Sequence, residues 1–181
     1  FTVKGDAGRS MYTKQIIVTL KKDTGGAITP ATYSINITKN PTEGGSVTIN
    51  DAAVLQKSVT EGTTVTVVAT PAADYKFDGW KEGTTTLTTS TTYSFTASSN
   101  KNLTANFSKK DYTVTVEAGE GGSAYIDTKG TTEKTVSHNE NVTITAEAND
   151  GYRFVEWRAW NSHFSSNAQQ DVTVTTDVTY T

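Results

Sequence analysis

The sequence predicts an all-β chain: two small β modules in tandem, preceded by a β-hairpin. Three observations carry that expectation. Tyr75-Lys76-Phe77-Asp78-Gly79-Trp80 returns 77 residues later as Tyr152-Arg153-Phe154-Val155-Glu156-Trp157, and Tyr, Phe and Trp twice in one spacing mark a tandem repeat. Thr makes up about one residue in five, and Thr with Val, Ile and Tyr favours strands. No long apolar stripe of helical period is present, so any helix should be short. Hydrophobic content is only 34%, but the net charge of −3 is small and the aromatics are regularly placed. That combination favours a folded chain over a disordered one. The expected boundaries are 1–30 for the hairpin and linker, 31–109 for the first module and 110–181 for the second.

Residues 1–30 do not match the repeat. Phe1-Thr2-Val3-Lys4 and Tyr12 to Leu20 read as two strands around the turn-rich Gly5 to Arg9. A lone hairpin is marginal in water. It is therefore either the closing hairpin of an upstream Ig-like domain or an edge hairpin docked on the first module. Asp23-Thr24-Gly25-Gly26, ending in Pro30, supplies the linker. The chain begins at Phe1 with no Met and no signal sequence, which predicts a piece of something longer.

The first module opens with Tyr33, Ile35 and Ile37 alternating with Ser34, Asn36 and Thr38, a half-buried strand. Asn40-Pro41-Thr42-Glu43-Gly44-Gly45 turns the chain. Strands follow at Ser46 to Ile49, at Val54 to Val59, and at Thr64 to Ala69, which Pro71 stops. After the Tyr-x-Phe-x-Gly-Trp strand and the Thr-rich residues 84–92, Tyr93 to Thr96 and Leu103 to Phe107 close the module. Tyr75 and Phe77 share a strand face but Trp80 has the opposite parity, so a bulge at Gly79 (Glu156 in the second copy) should swing the indole inward.

The second module restates this from Tyr112. Tyr112 to Val116 answer Tyr33 to Ile37 at an offset of 79, whereas later landmarks sit at 77. The turn before the Gly-Gly pair is thus two residues shorter. Two is the period of a strand, so the same side chains keep facing the core. Gly62 aligns with Asn139 and Asp74 with Gly151, and Gly, Asn and Asp best tolerate positive φ, so both sites should be left-handed turns. At the end, Val178-Thr179-Tyr180 aligns with Leu103-Thr104-Ala105 after a further two-residue gap, and nothing answers Phe107.

With these residues laid out, the chain resembles the InlB B-repeat family. The shared pattern is Tyr-(Thr/Ser)-(Ile/Val), then Glu-Gly-Gly-Ser, a Val-Thr-(Val/Ile) strand, and Tyr-x-Phe-x-(Gly/Glu)-Trp. Its divergent branch, which lacks a clear helix, is the nearer match over residues 33–181. The resemblance implies a β-grasp-like module or small sandwich, strung in tandem on bacterial surface proteins as stalk or spacer. It brings no catalytic residues and no cofactor.

Tyr75, Phe77, Trp80, Tyr152, Phe154 and Trp157 are expected in the core, because large aromatics dominate small cores; a sugar-stacking platform is the alternative. Trp160 differs, since Gly83 stands in its place in the first copy and His163 and Phe164 are its neighbours. An exposed loop aromatic suits a ligand, which makes Trp160, His163 and Phe164 the candidate ligand-binding residues, with a glycan or a host surface protein as partner. The competing reading lays a loop aromatic over the edge of the core. His138 and His163 sit in no metal-ligand motif and read as surface histidines. Asp127, Asp150 and Asp171 lack the spacing of a calcium loop. No G-x-S-x-G setting surrounds any Ser, and the glycine pairs lie between strands rather than before a helix. No metal site is therefore expected.

There are no cysteines, so disulfides and Cys-ligated metals are excluded. A pI near 5.4 without a basic stripe argues against nucleic acid, and no apolar run reaches the roughly 18 residues of a membrane helix. The expected function is a non-catalytic, extracellular stalk of an adhesin-like protein, partnered by neighbouring domains of its own chain. Few contacts are expected across the junction at Lys109-Lys110. A carbohydrate- or host-binding module using the Trp160 loop is the second reading, and an accessory domain of a secreted glycan-active enzyme the third.

Overall fold

The computed structural model describes residues 29–181, so the N-terminal hairpin expected within 1–30 lies outside the described residues. Ala31–Thr181 form one compact unit. It is built from sixteen strands and one short 3-10 turn, with no α-helix among the described residues.

The first module contains β1 (Thr32–Asn40), β2 (Gly45–Ile49), β3 (Gln56–Thr60), β4 (Thr64–Pro71), β5 (Tyr75–Glu82), β6 (Thr85–Thr88), β7 (Thr92–Thr96) and β8 (Lys101–Lys109). The second contains β9 (Asp111–Val116), β10 (Gly122–Ile126), β11 (Glu133–Ser137), β12 (Asn141–Ala148), β13 (Trp157–Ala159), β14 (Ser162–Ser165), β15 (Gln169–Thr173) and β16 (Val178–Tyr180). In each module five strands form one sheet and three form another. The orders are β3-β1-β8-β5-β6 with β2-β4-β7, and β11-β9-β16-β13-β14 with β10-β12-β15. The second set is the first with every strand advanced by eight.

Each module buries its own apolar cluster between its two sheets. Ile35, Ile37, Leu103, Ala105 and Phe107 from the larger sheet meet Val47, Ile49, Val65 and Val67 from the smaller. Val114, Val116, Val178 and Tyr180 meet Ile126, Val142, Ile144 and Val172 in the second module. In the larger sheets the first and last strands are parallel neighbours, β1 with β8 and β9 with β16. Parallel neighbours require a crossover, and here the intervening strands provide it. This central parallel pair is β-grasp-like, with a small sheet covering it as in a sandwich.

Trp80 is fully buried and Trp157 nearly so. The bulge falls at Asp78-Gly79, because Phe77 faces Phe107 while Gly79 faces Asn106. Gly79 takes φ 146°, and a Cβ there would stand 2.7 Å from the Thr88 carbonyl oxygen. The bulge brings Trp80 back to the face of Phe77, edge-on with ring centroids 5.7 Å apart. Each indole N–H crosses to the other sheet. Trp80 Nε1 donates to the Thr91 carbonyl at 3.0 Å and Trp157 Nε1 to the Ala168 carbonyl at 3.3 Å.

Four expectations need correction. Tyr152 is 61% exposed rather than core. Tyr75 pairs with Lys109 of β8, whereas Tyr152 belongs to no strand and its ring lies against Gly121. No bulge forms at Glu156, which precedes β13. The proposed gap before Val178 is also absent. Tyr180 faces Val116 as Leu103 faces Ile37, so the offset of 77 holds to the end and Tyr180, not Val178, answers Leu103. Finally, Gly62, Asn139 and Gly151 have positive φ but Asp74 does not. The same turn hydrogen bond closes in both copies, Tyr75 N to Ala72 O and Tyr152 N to Asn149 O, so two turn types serve one connection.

Few contacts cross the junction, as expected, and those that do are specific. Lys110 alone separates β8 from β9. Its N–H donates to the Asp74 carbonyl, and its carbonyl accepts from the His138 N–H. Lys76 of the first module pairs with Asp111 of the second at 2.7 Å.

A clamp that pattern-reading does not reveal occurs in both copies. Asn50 and Asp127 are left-handed, and each turns its side-chain oxygen onto a backbone N–H, of Thr66 and Thr143 respectively, at 2.7 Å. Lys134 and then the Thr143 N–H hold the Asp127 carboxyl below the ordinary carboxylate range. A carboxyl depressed in the folded state contributes stability above its unfolded range and loses it as pH falls through the folded value. Asp127→Ala is expected to cost roughly 1 kcal/mol at neutral pH, limited by partial solvation. Asp127→Asn, which copies Asn50, should lose less melting temperature than wild type between neutral and acid pH. Equal acid losses in thermal melts of the two proteins would contradict this account.

Candidate functional site

β13 and β14 are joined by Trp160-Asn161, with φ of 48° and 60°. A two-residue hairpin turn with both central residues left-handed favours Asn and Gly, and the first module has Gly83 at φ 60° there. A Trp in this conformation costs about 1–2 kcal/mol. Its indole is nevertheless 69% exposed, so core burial does not offset the strain. Arg158, between the buried Trp157 and Ala159, faces solvent by strand alternation. Its Nη2 donates to the Asn161 carbonyl at 2.9 Å, which braces the turn.

The three candidate ligand residues have different surroundings. Trp160 stands beside a groove of about 390 Å³, whose lining includes Thr113 and Thr115 of β9, Arg158 of β13, and Asp177 and Thr179 next to or within β16. His163 faces Arg158 across the hairpin and lies outside this lining. Its Nδ1 is 2.6 Å from Glu156 Oε2, and Arg158 Nη1 is 3.6 Å from Glu156 Oε1. Phe164 packs at 4.7 Å on the buried Tyr180, which is the position of an aromatic lying over the core edge.

Asp177 Oδ1 accepts from the Thr113 N–H at 2.7 Å, as Asn100 Oδ1 accepts from the Ser34 N–H at 2.9 Å in the first module. The side chains around these equivalent bonds differ. In the first module Asn36 Nδ2 donates to Asn102, Ser34 Oγ to Asn36, and Gln56 Nε2 to Ser34. Thr113, Thr115 and Thr179 replace that interlocked set and make no side-chain hydrogen bond with one another. Sequence reasoning missed the groove because its residues come from three separated strands. The exchange of Ser34, Asn36 and Asn102 for three threonines, read beside Trp160, was the available signal.

A second cleft, of about 200 Å³, lies in the second module among Gly121, Gly122, Tyr152, Phe154 and Trp157. The Phe107 ring fills the corresponding space in the first module, where it covers Gly44 and Gly45. The lining of this cleft also carries Glu117, Glu120, Glu147, Arg153 and Glu156; Glu147 is engaged by Tyr125 and Lys129, and Glu156 by His163.

Among the described residues no three His, Asp or Glu side chains are grouped to hold a metal ion, and no helix is long and apolar enough to cross a membrane. Asp127 and Asp171 are accounted for by Lys134 and Thr143. His138 is not a surface histidine: it is 9% exposed, edge-on to Tyr112, with Nε2 3.4 Å from Asp74 of the first module. The module boundary covers it.

The family described as the divergent InlB B-repeat domain matches residues 35–111 and again 112–181. The chain belongs to the divergent InlB B-repeat family. Its two matched regions meet at Asp111, the first residue of β9. B-repeat modules are generally non-catalytic and associated with surface proteins. No curated protein and no solved structure matches the chain. Neither the Trp160 turn nor the threonine groove recurs in the first B-repeat of this chain, so these features belong to the second copy and not to the fold.

Proposed function

We propose that this chain is a load-bearing stalk segment of an extracellular bacterial surface protein, spacing an adhesive or otherwise binding head from the cell. The observation that carries the reading is the parallel pairing of the first and last strand in each module. Tension reaches the first module at the start of β1 and leaves it at the end of β8. Six residue pairs, Ile35↔Lys101 to Asn40↔Asn106, join these strands side by side. Their hydrogen bonds lie across the direction of pull, so they are sheared together rather than unzipped singly. The bonded single-residue junction passes the load on without slack.

Single-molecule stretching of the chain between its termini tests this. The first module should rupture in one step and release roughly 25 nm of chain, the extended length of residues 32–109 less its folded span. The second module, whose parallel pair comprises only Val178↔Val114, Thr179↔Thr115 and Tyr180↔Val116, should yield first and at lower force. Gradual lengthening at low force in both modules would reject a mechanical role.

A further inference from the structure

We propose that the outer face of the larger sheet in the second module is a saccharide-binding platform, with the Trp160 indole as its stacking surface. The argument starts from cost. The fold offers this turn to glycine and the first module places Gly83 there. The second module instead holds a Trp in a left-handed conformation and leaves most of its ring in water. Neither turn geometry nor the core explains that residue, and strain retained at one exposed position points to use at that position.

The groove beside the indole supplies what a sugar requires. A pyranose has an apolar face of C–H groups and an equatorial ring of hydroxyls, so it binds where one aromatic plane adjoins several donors and acceptors. Thr113, Thr115 and Thr179 present hydroxyls that make no side-chain bond among themselves, in place of the interlocked Ser34, Asn36 and Asn102 of the first module. Arg158 offers guanidinium N–H groups held in position by the Asn161 carbonyl. Asp177 uses Oδ1 to accept from Thr113, leaving Oδ2 toward a ligand hydroxyl. Arg158 and Asp177 line the same groove, and Glu156 stands against the same guanidinium, so the groove carries no surplus positive charge. This favours a neutral hexose or pentose chain over a uronic or sialic acid polymer, whose carboxylates would meet Asp177. The groove is open, which suits an internal stretch of a polysaccharide. A stalk built this way would also grip a glycan along its length.

The test uses the full chain and a panel of neutral oligosaccharides: gluco-, manno-, xylo- and galacto-configured, four to six units long. Binding is followed by tryptophan fluorescence and by protection from acrylamide quenching, to which Trp160 is far more open than the buried Trp80 and Trp157. At least one class should bind and protect the exposed indole. Trp160→Gly, which restores the residue of the first module, should weaken that binding about tenfold or more while melting at or above the wild-type temperature. Thr179→Asn, which rebuilds one amide of the first module, should weaken it without unfolding the chain. No binding across the panel, or affinity unchanged in Trp160→Gly, overturns the proposal.

Discussion

Trp80→Ala is expected to unfold the first module, with a loss of about 3–5 kcal/mol. The indole is fully buried and joins the two sheets, since it stands on β5 and donates to the Thr91 carbonyl just ahead of β7. That same carbonyl accepts from the Ala69 N–H of β4, so one oxygen ties β4, β5 and the approach to β7 together. Removing the ring opens a cavity under Phe77 and leaves a bonded oxygen with one partner instead of two. A module of this size holds only several kcal/mol in total, so the loss exceeds what most such modules can spare. Trp80→Phe keeps most of the volume, and the Ala69 bond survives, so it should cost clearly less. Trp157→Ala should act likewise on the second module, where the Ala168 carbonyl accepts from both Trp157 and Ala146. Urea unfolding followed by circular dichroism, with amide spectra to identify the surviving module, measures both. A Trp80→Ala chain that unfolds at the wild-type midpoint would show that the indole is not what holds the sheets together.

How far the structure can be read from sequence depends on the range of the interaction concerned. The bulge at Gly79 was legible because a parity break in Tyr-x-Phe-x-Gly-Trp is local, and glycine marks it. The left-handed residues Gly62 and Asn139 were legible for the same reason. Asp74 misled because Asp tolerates both signs of φ, and the turn hydrogen bond to Ala72 can close either way. Strand order was not legible. The β1–β8 pairing joins residues 66 apart, such as Ile37 and Leu103, and nothing in alternation states which strand lies beside which. The second module's last strand was misaligned because Val178 resembles Leu103 more than Tyr180 does. Register opposite Val116 decides the matter, and register is a property of the pair. In the candidate site, Trp160 was visible as a departure from the repeat. Phe164 and His163 were grouped with it by sequence proximity alone. The hairpin separates them, placing Phe164 on Tyr180 and His163 on Glu156.

Phe107→Ala should open a cavity over Gly44-Gly45 in the first module and should cost about 3–5 kcal/mol. Phe107 is nearly buried, its ring is edge-on to Phe77 at 5.4 Å, and its underside meets the Gly44-Gly45 pair. A Cβ on Gly44 would stand 2.6 Å from Phe107 Cβ, and one on Gly45 would stand 2.8 Å from Phe107 Cε1. The glycine at 44 is there for the ring, not for a left-handed turn, since its φ is not positive. The two residues are therefore coupled, and a double-mutant cycle gives the sign. Gly44→Ala alone should destabilise by about 1–3 kcal/mol through overpacking against the ring. Phe107→Ala would retain the Cβ that stands 2.6 Å away, so the background for the cycle is Phe107→Gly, in which the added methyl has room and the same change should cost clearly less. The coupling energy should then favour the double mutant over the sum of the singles by about 1–3 kcal/mol. Equal costs of Gly44→Ala in both backgrounds, measured by urea denaturation, would mean that backbone conformation, not the Phe107 ring, selects glycine at this position.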